Sequence, residues 1–71
     1  MTEYTVLLTW DDEARVWVAE NDDIPIALES GSFDALLERV RYAVPEILAE
    51  NDKPNDVYLN FITHRRAKVY I

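Results

Sequence analysis

One long amphipathic segment in an otherwise strand-like chain limits the possible folds most strongly. From residue 33 onward, apolar residues recur at the i, i+3, i+4, i+7 spacing of a helix with one apolar face. They are Phe33, Leu36, Leu37, Val40, Val44, Ile47 and Leu48. Ser32 is suited to cap this helix, and we expect a kink at Pro45, which cannot donate a backbone hydrogen bond. Because one helix covers one face of a sheet, the opposite face should stay open.

The segments on both sides of the helix alternate apolar and polar residues, which is the period of a β-strand. Strands are predicted over residues 2–10, 15–20, 24–30 and 57–63, and Val69 and Ile71 continue the last strand's phase in an extended tail. The "DDEA" and "NDD" segments predict polar turns between the first three strands. We therefore expect one α+β domain over residues 1–71, in the order β-β-β-α-β, with the helix on one face of an antiparallel sheet.

The alternation also assigns side chains to faces of the sheet. Trp10 shares the phase of Tyr4, Val6 and Leu8 and is predicted to lie in the core. In the second strand we expect Val16 and Val18 to point inward, and Arg15, Trp17 and Ala19 to point outward. An exposed tryptophan is typical of a binding surface. The alternative is that Trp17 packs on neighbours such as Leu7 across the hairpin.

Acidic and basic residues are distributed unevenly in a chain whose net charge is −7. Residues 1–31 contain eight acidic residues and one basic residue, whereas residues 57–71 contain three basic residues and none that is acidic. An acidic N-terminal half argues against autonomous binding of DNA or RNA, which requires lysine and arginine at the phosphates. It favours a basic protein partner or, as the alternative, a solvated acidic surface.

The residue types offer little for catalysis, so we expect no enzyme and no cofactor. The one histidine, His64, lies in a basic segment, the chain has no cysteine, and a single glycine is too few for a phosphate-binding loop. The acidic clusters at residues 11–13 and 20–23 flank a strand and should lie about 20 Å apart. They cannot share one ion, so we expect no metal site.

Chain length and hydropathy predict the oligomeric state and the cellular location of the protein. A chain of 71 residues without disulfides buries a small core, so we expect a homodimer or a higher oligomer. The chain contains no run of about 18 apolar residues, and its N-terminus lacks the basic start of a signal peptide. We expect a cytoplasmic protein that does not bind a membrane.

An ordered set of short motifs resembles the HicB-like antitoxin family, in its short subgroup formerly catalogued as a domain of unknown function. The motifs are "TWDDEARVWVAENDDIP", "LES" and "VPEILAEN", within residues 5–51. Two features depart from that family. Ile26 stands where the family commonly has glycine, and residues 1–71 leave no room for the C-terminal DNA-binding segment of full-length members. We therefore expect no DNA binding from this chain alone.

This resemblance implies a partial ribonuclease-H-like or double-stranded-RNA-binding-like core that neutralises a small, basic, mRNA-cleaving HicA-type toxin. We expect an acidic hairpin to form the contact surface. The candidate contact residues are Asp11, Asp12, Glu13, Trp17, Glu20, Asp22 and Asp23. The alternatives are a structural or regulatory homodimer without a toxin and a minimal RNA-binding domain that uses the basic tail.

Overall fold

Three strands, a helix and a fourth strand follow one another in the predicted order. The computed structural model describes residues 2–54 and 56–70, so the prediction for Ile71 lies outside the described residues. The elements are β1 (Glu3–Asp11), β2 (Val16–Glu20), β3 (Leu28–Ser30), α1 (Phe33–Glu50) and β4 (Tyr58–His64). The strands form one sheet in the order β3-β2-β1-β4, and α1 packs on one of its faces. The predicted α+β domain is confirmed.

The sheet is mixed, so the expectation of a wholly antiparallel sheet is wrong for its last strand. β1 pairs antiparallel with β2, and β2 pairs antiparallel with β3. β4 pairs parallel with β1, from Glu3 opposite Tyr58 to Thr9 opposite His64. Parallel neighbours need a long crossover connection, and α1 provides it by leading the chain from the β3 edge to the opposite edge.

The β1–β2 register reverses the predicted faces of the second strand. Leu8 lies opposite Ala19, and Trp10 lies opposite Trp17. Directly opposed residues of an antiparallel pair share a face, so Ala19 joins Leu8 beneath the helix, and both are 0 % exposed. Val16 and Val18, predicted to point inward, lie on the open face. The "VWVA" segment is apolar at every position, so its alternation could not define the buried face.

Polar side chains form the turns at both ends of β2, as predicted. The Asp11 carboxylate accepts hydrogen bonds from the backbone N–H groups of Glu13 and Ala14, at 3.1 Å each. Arg15 closes this turn in the left-handed region, with φ of 58°. At the far end of β2, the Asn21 side-chain oxygen accepts two backbone hydrogen bonds of 2.7 Å. The length of the first turn determines the register that buries Ala19.

The third strand is shorter than predicted because a tight turn precedes it. The backbone N–H of Ile26 donates to the Ile24 carbonyl at 2.8 Å, across Pro25. Both isoleucines are buried although neither belongs to a strand. Pairing with β2 begins at Leu28, three residues after the proline.

The helix continues through Pro45 as one element. The Ser32 hydroxyl accepts a hydrogen bond from the Ala35 N–H at 3.3 Å, which confirms the predicted N-cap. At the other end, Asp52 takes the left-handed conformation of a helix-terminating residue, with φ of 56°. Every residue of the predicted apolar stripe lies in the core or packs against it.

The core lies between α1 and the sheet. Its buried side chains are Val6, Leu8, Ala19, Ile24, Ile26, Leu36, Val40, Val44 and Leu48. Within residues 2–54 and 56–70, no polar or charged residue is buried. Trp10 lies on the predicted side of β1, but it is half-buried at the end of the sheet and does not belong to this core. The prediction that Trp10 is a core residue is therefore wrong.

The strand phase can be tested with two lysine substitutions at adjacent positions. We expect Ala19→Lys to lower the free energy of unfolding by about 3 kcal/mol or more, because it buries a charge without a partner. Val18→Lys, on the open face opposite Glu29, should change it by about 1 kcal/mol or less. Urea unfolding followed by circular dichroism measures both values, and the reverse order would contradict the register.

Candidate functional site

One acidic concave surface lies at the end of the hairpin that is remote from the Asp11 turn. It is an open groove of ≈ 500 Å³ between the start of β1 and the end of β2. Its lining comprises Glu3, Tyr4, Thr5, Leu7, Glu20, Asn21, Asp22 and Asp23. We call this surface the acidic groove, because four of its eight residues carry carboxylates.

Hydrogen bonds from Asn21 hold the turn that carries two of these carboxylates. Its side-chain amide donates to the Thr5 carbonyl at 2.5 Å, which ties the turn to β1. Its side-chain oxygen accepts from the backbone N–H groups of Asp23 and Ile24. The side chains of Asp22 and Asp23 remain exposed beside β1.

The strand register brings the other two carboxylates to the same groove. Glu20 lies opposite Leu7, which is 36 % exposed and provides an apolar patch among the acids. Glu3 is not among the predicted contact residues, since it is separated from the groove's other acids by more than fifteen positions in the chain. The sequence contains one signal that identifies Glu3: it shares the odd-numbered strand phase of Leu7, which places both residues on the open face of β1.

Within residues 2–54 and 56–70, no basic side chain forms an ion pair with the carboxylates of the acidic groove. In the part of the chain that the structure describes, the ion pairs join Arg15 to Asp12 at 3.0 Å and Arg41 to Glu38 at 2.8 Å. Neither pair includes a residue of the groove. Among the same residues, no group of three or more acidic or histidine side chains is placed to hold a metal ion. The groove is therefore suited to attract dispersed positive charge, as on a basic protein surface.

The other predicted acidic cluster is largely occupied within its own turn. Asp11 accepts backbone hydrogen bonds, and the Asp12 carboxylate accepts from the Arg15 guanidinium at 3.0 Å and from the Trp10 indole at 3.1 Å. The Glu13 carboxylate is exposed. The structure thus brings Glu20, Asp22 and Asp23 together in the acidic groove. Asp11, Asp12 and Glu13 line a second open concavity of ≈ 500 Å³, which Glu20 also borders.

Trp17 does not point to the open face, so its prediction as an exposed anchor is wrong. Its ring packs edge-to-face on Phe33 of α1, with the ring centroids 4.9 Å apart. It also packs edge-to-face on Trp10, at 5.4 Å. The alternative contact with Leu7 is excluded as well, because Leu7 lies on the opposite face of the sheet. Trp17 fixes the hairpin to the start of the helix.

A second concavity has the opposite charge character. It measures ≈ 1060 Å³ and is lined by Thr9, Trp10, Asp12, His64, Arg65, Arg66, Ala67, Lys68 and Tyr70. The Arg65 guanidinium lies 4.3 Å from the centroid of the Trp10 ring, within range of a cation–π interaction. His64 is exposed at the end of β4. The contact between Arg65 and Trp10 fixes the direction in which the chain leaves the sheet.

The fold and the surface define a small two-layer α+β domain with a mixed sheet, one helix and an acid-lined groove. The chain belongs to the family described as domain of unknown function DUF1902, whose model matches residues 3–71. No curated protein matches this chain. Within the described residues, no helix has the length and hydropathy needed to cross a membrane.

A solved structure has the same architecture. It is the crystal structure of the hypothetical protein TTHA1013 from the extremely thermophilic bacterium Thermus thermophilus. Its sequence is 33 % identical to this one, and the TM-score is 0.72. The similarity covers 97 % of this chain and 99 % of that chain, so the two proteins share the whole domain.

The packing of Trp17 can be tested by comparing its substitution by alanine with the same substitution at an exposed aromatic residue. We expect Trp17→Ala to lower the free energy of unfolding by about 2 kcal/mol or more, because it removes the ring between Phe33 and Trp10. Tyr42→Ala should change it by less than about 0.5 kcal/mol, since Tyr42 is 72 % exposed. Urea unfolding followed by circular dichroism compares them, and equal effects would contradict the proposed packing.

Proposed function

We propose that this protein is a non-enzymatic, antitoxin-like interaction module that uses the acidic groove to bind and neutralise a small basic mRNA-cleaving toxin of the HicA type. One observation carries the proposal: Glu3, Glu20, Asp22 and Asp23 line one open groove, and none of them forms an ion pair within the described part of the chain. Such a module acts in the cytoplasm, where its mRNA-cleaving partner acts.

The electrostatics of the groove favour a protein partner over a nucleic acid. Several carboxylates on one surface raise the local concentration of a cationic partner and its association rate. The same field repels the phosphates of RNA and DNA, which bind through lysine and arginine. The longest of the motifs that resemble HicB-like antitoxins, "TWDDEARVWVAENDDIP", includes the end of the hairpin that carries this groove, which supports a basic ribonuclease as the partner.

The candidate contact residues divide into three roles in this proposal. The four groove carboxylates meet the basic residues of the partner, and Leu7 supplies an apolar contact beside them. Asp11 and Asp12 maintain the opposite turn, where exposed Glu13 adds negative charge. Trp17 acts indirectly, because it holds the hairpin against α1.

Charge neutralisation in the groove tests the proposal. In the triple variant Glu20→Gln, Asp22→Asn, Asp23→Asn we expect at least a tenfold weaker affinity for a purified HicA-type toxin at about 50 mM salt. The loss should appear mainly as slower association, and it should shrink as the salt concentration rises. Surface plasmon resonance measures the rates, and an mRNA-cleavage assay measures neutralisation.

A second triple variant controls for net charge alone. Glu46→Gln, Glu50→Gln and Asp52→Asn remove the same three charges from exposed positions at the end of α1 and just beyond it. This variant should bind and neutralise the toxin as the unmodified protein does. Equal losses in both variants, or no loss in the groove variant, would contradict the assignment of the groove.

One observation favours the alternative of a structural or regulatory homodimer. The open face of the sheet exposes Leu7, Tyr58 and Ile62, of which Tyr58 and Ile62 belong to an edge strand. Exposed apolar residues on an edge strand are typical of strand-to-strand association. Tyr58 and Ile62 do not line the acidic groove, so self-association through β4 leaves the groove's carboxylates available to a toxin.

A further inference from the structure

The two edges of the sheet differ in how well they are protected. At the β3 edge, the strand is three residues long, and the Arg39 guanidinium donates to the Glu29 carbonyl at 2.8 Å. Short strands and covered backbone groups protect an edge against pairing. At the other edge, β4 is seven residues long, and no described strand pairs with its outer side.

An unpaired extended segment follows this open edge. Residues 65–70, which we call the arm, form neither helix nor strand, and all of them are exposed. Val69 is 83 % exposed and Tyr70 is 80 % exposed, although both are large and apolar. The molecule is 52 Å long, whereas the nine residues of β1 span about 30 Å. The molecule is therefore longer than its sheet, and the unpaired arm that follows β4 contributes to this length.

An apolar groove lies beside β4 on the side of the helix. It measures ≈ 220 Å³ and is lined by Arg41, Pro45, Val57, Tyr58, Leu59 and Phe61. Leu59 and Phe61 are half-buried there and pack against the core. The groove therefore runs along the strand whose outer side pairs with no described strand.

We propose that the arm of one copy pairs antiparallel with β4 of a second copy, about a twofold axis at His64, so that two four-stranded sheets become one continuous sheet. The six arm residues then lie opposite residues 58–63 of the other copy. By the same symmetry, the arm of the second copy pairs with β4 of the first. Val69 faces Leu59 of the second copy, and Ala67 faces Phe61 of the second copy.

This register matches apolar residues on both faces of the sheet. Leu59 and Phe61 lie on the helix side of β4, so Ala67 and Val69 enter the groove that those residues line. Tyr70 lies on the open face beside Tyr58, where both rings lose exposed area. Backbone groups of the arm and of the β4 edge, unpaired in one copy, become hydrogen-bonded.

Charge also favours a second copy as the occupant. Three of the seven basic residues lie in the arm and all 14 acidic residues lie outside it, so the arm carries +3 and the other residues −10. The cationic arm is therefore attracted to the anionic body of another copy. The stacking of Arg65 on Trp10, at 4.3 Å, holds the start of the arm beside the end of β1.

A charged side chain at position 69, which enters the apolar groove of the second copy, tests the proposal. Sedimentation velocity should show a dimer of the 8.3 kDa chain at micromolar concentration, and Val69→Asp should raise the dimer dissociation constant at least tenfold. Val69→Ile is the matched control and should dimerise as the unmodified chain does. Because Val69 is exposed within one copy, both variants should keep the same circular dichroism spectrum. A monomeric unmodified chain, or an unaffected Val69→Asp dimer, would overturn the proposal.

Cysteine cross-linking tests the position of the twofold axis in a chain that has no cysteine. Residues directly opposed in an antiparallel pair have Cα atoms about 5 Å apart, which suits a disulfide. The His64→Cys variant should therefore form a disulfide-linked dimer on mild oxidation. In the control Asn60→Cys, the two cysteines should lie about 26 Å apart and stay reduced. Cross-linking of the control alone would overturn this register.

These experiments use the purified chain by itself. Failure of the arm pairing therefore shows as a monomer or as a different cross-link, whereas failure of the proposed function shows in toxin affinity. His64 and Val69 do not line the acidic groove, so their variants keep all the residues that line it.

Discussion

The antiparallel register of the β1–β2 hairpin is the constraint on which the rest of the structure depends. It sets Leu8 opposite Ala19 and Trp10 opposite Trp17, which determines the residues that meet the helix. The core forms on that side, and Trp17 reaches Phe33. The same register sets Leu7 opposite Glu20 on the other side, where the acidic groove forms. A shift of one residue would exchange these two faces.

Local hydrogen bonding divides the acidic residues into structural and exposed groups. Asp11 and Asp12 are engaged by turn N–H groups, by Arg15 and by the Trp10 indole. Asn21 performs the turn chemistry at the other end of β2, which leaves the carboxylates of Asp22 and Asp23 exposed. Because an amide forms the hydrogen bonds of this turn, both neighbouring carboxylates remain free to contact a partner.

The crossover through α1 places an open strand at one edge of the sheet and the groove-bearing hairpin at its centre. β4 joins β1 in parallel, so its outer edge and the arm that follows it lie away from the β3 edge covered by Arg39. The shared architecture with the Thermus thermophilus protein, at 33 % identity over nearly the whole chain, shows that this arrangement tolerates extensive sequence change. The packed apolar positions need similar volume rather than identical residues.

The sequence by itself determined the element order, the helix with its Ser32 cap, the apolar stripe of α1 and the polar turns, because these follow from local periodicity and local hydrogen bonds. It also located most of the acidic residues of the groove. Only the tertiary structure decided the parallel pairing of β4, the buried face of β2, the packing of Trp17 and the inclusion of Glu3. The physical reason is that "VWVA" is apolar on both faces, so strand pairing, which joins residues distant in the chain, selected the buried one.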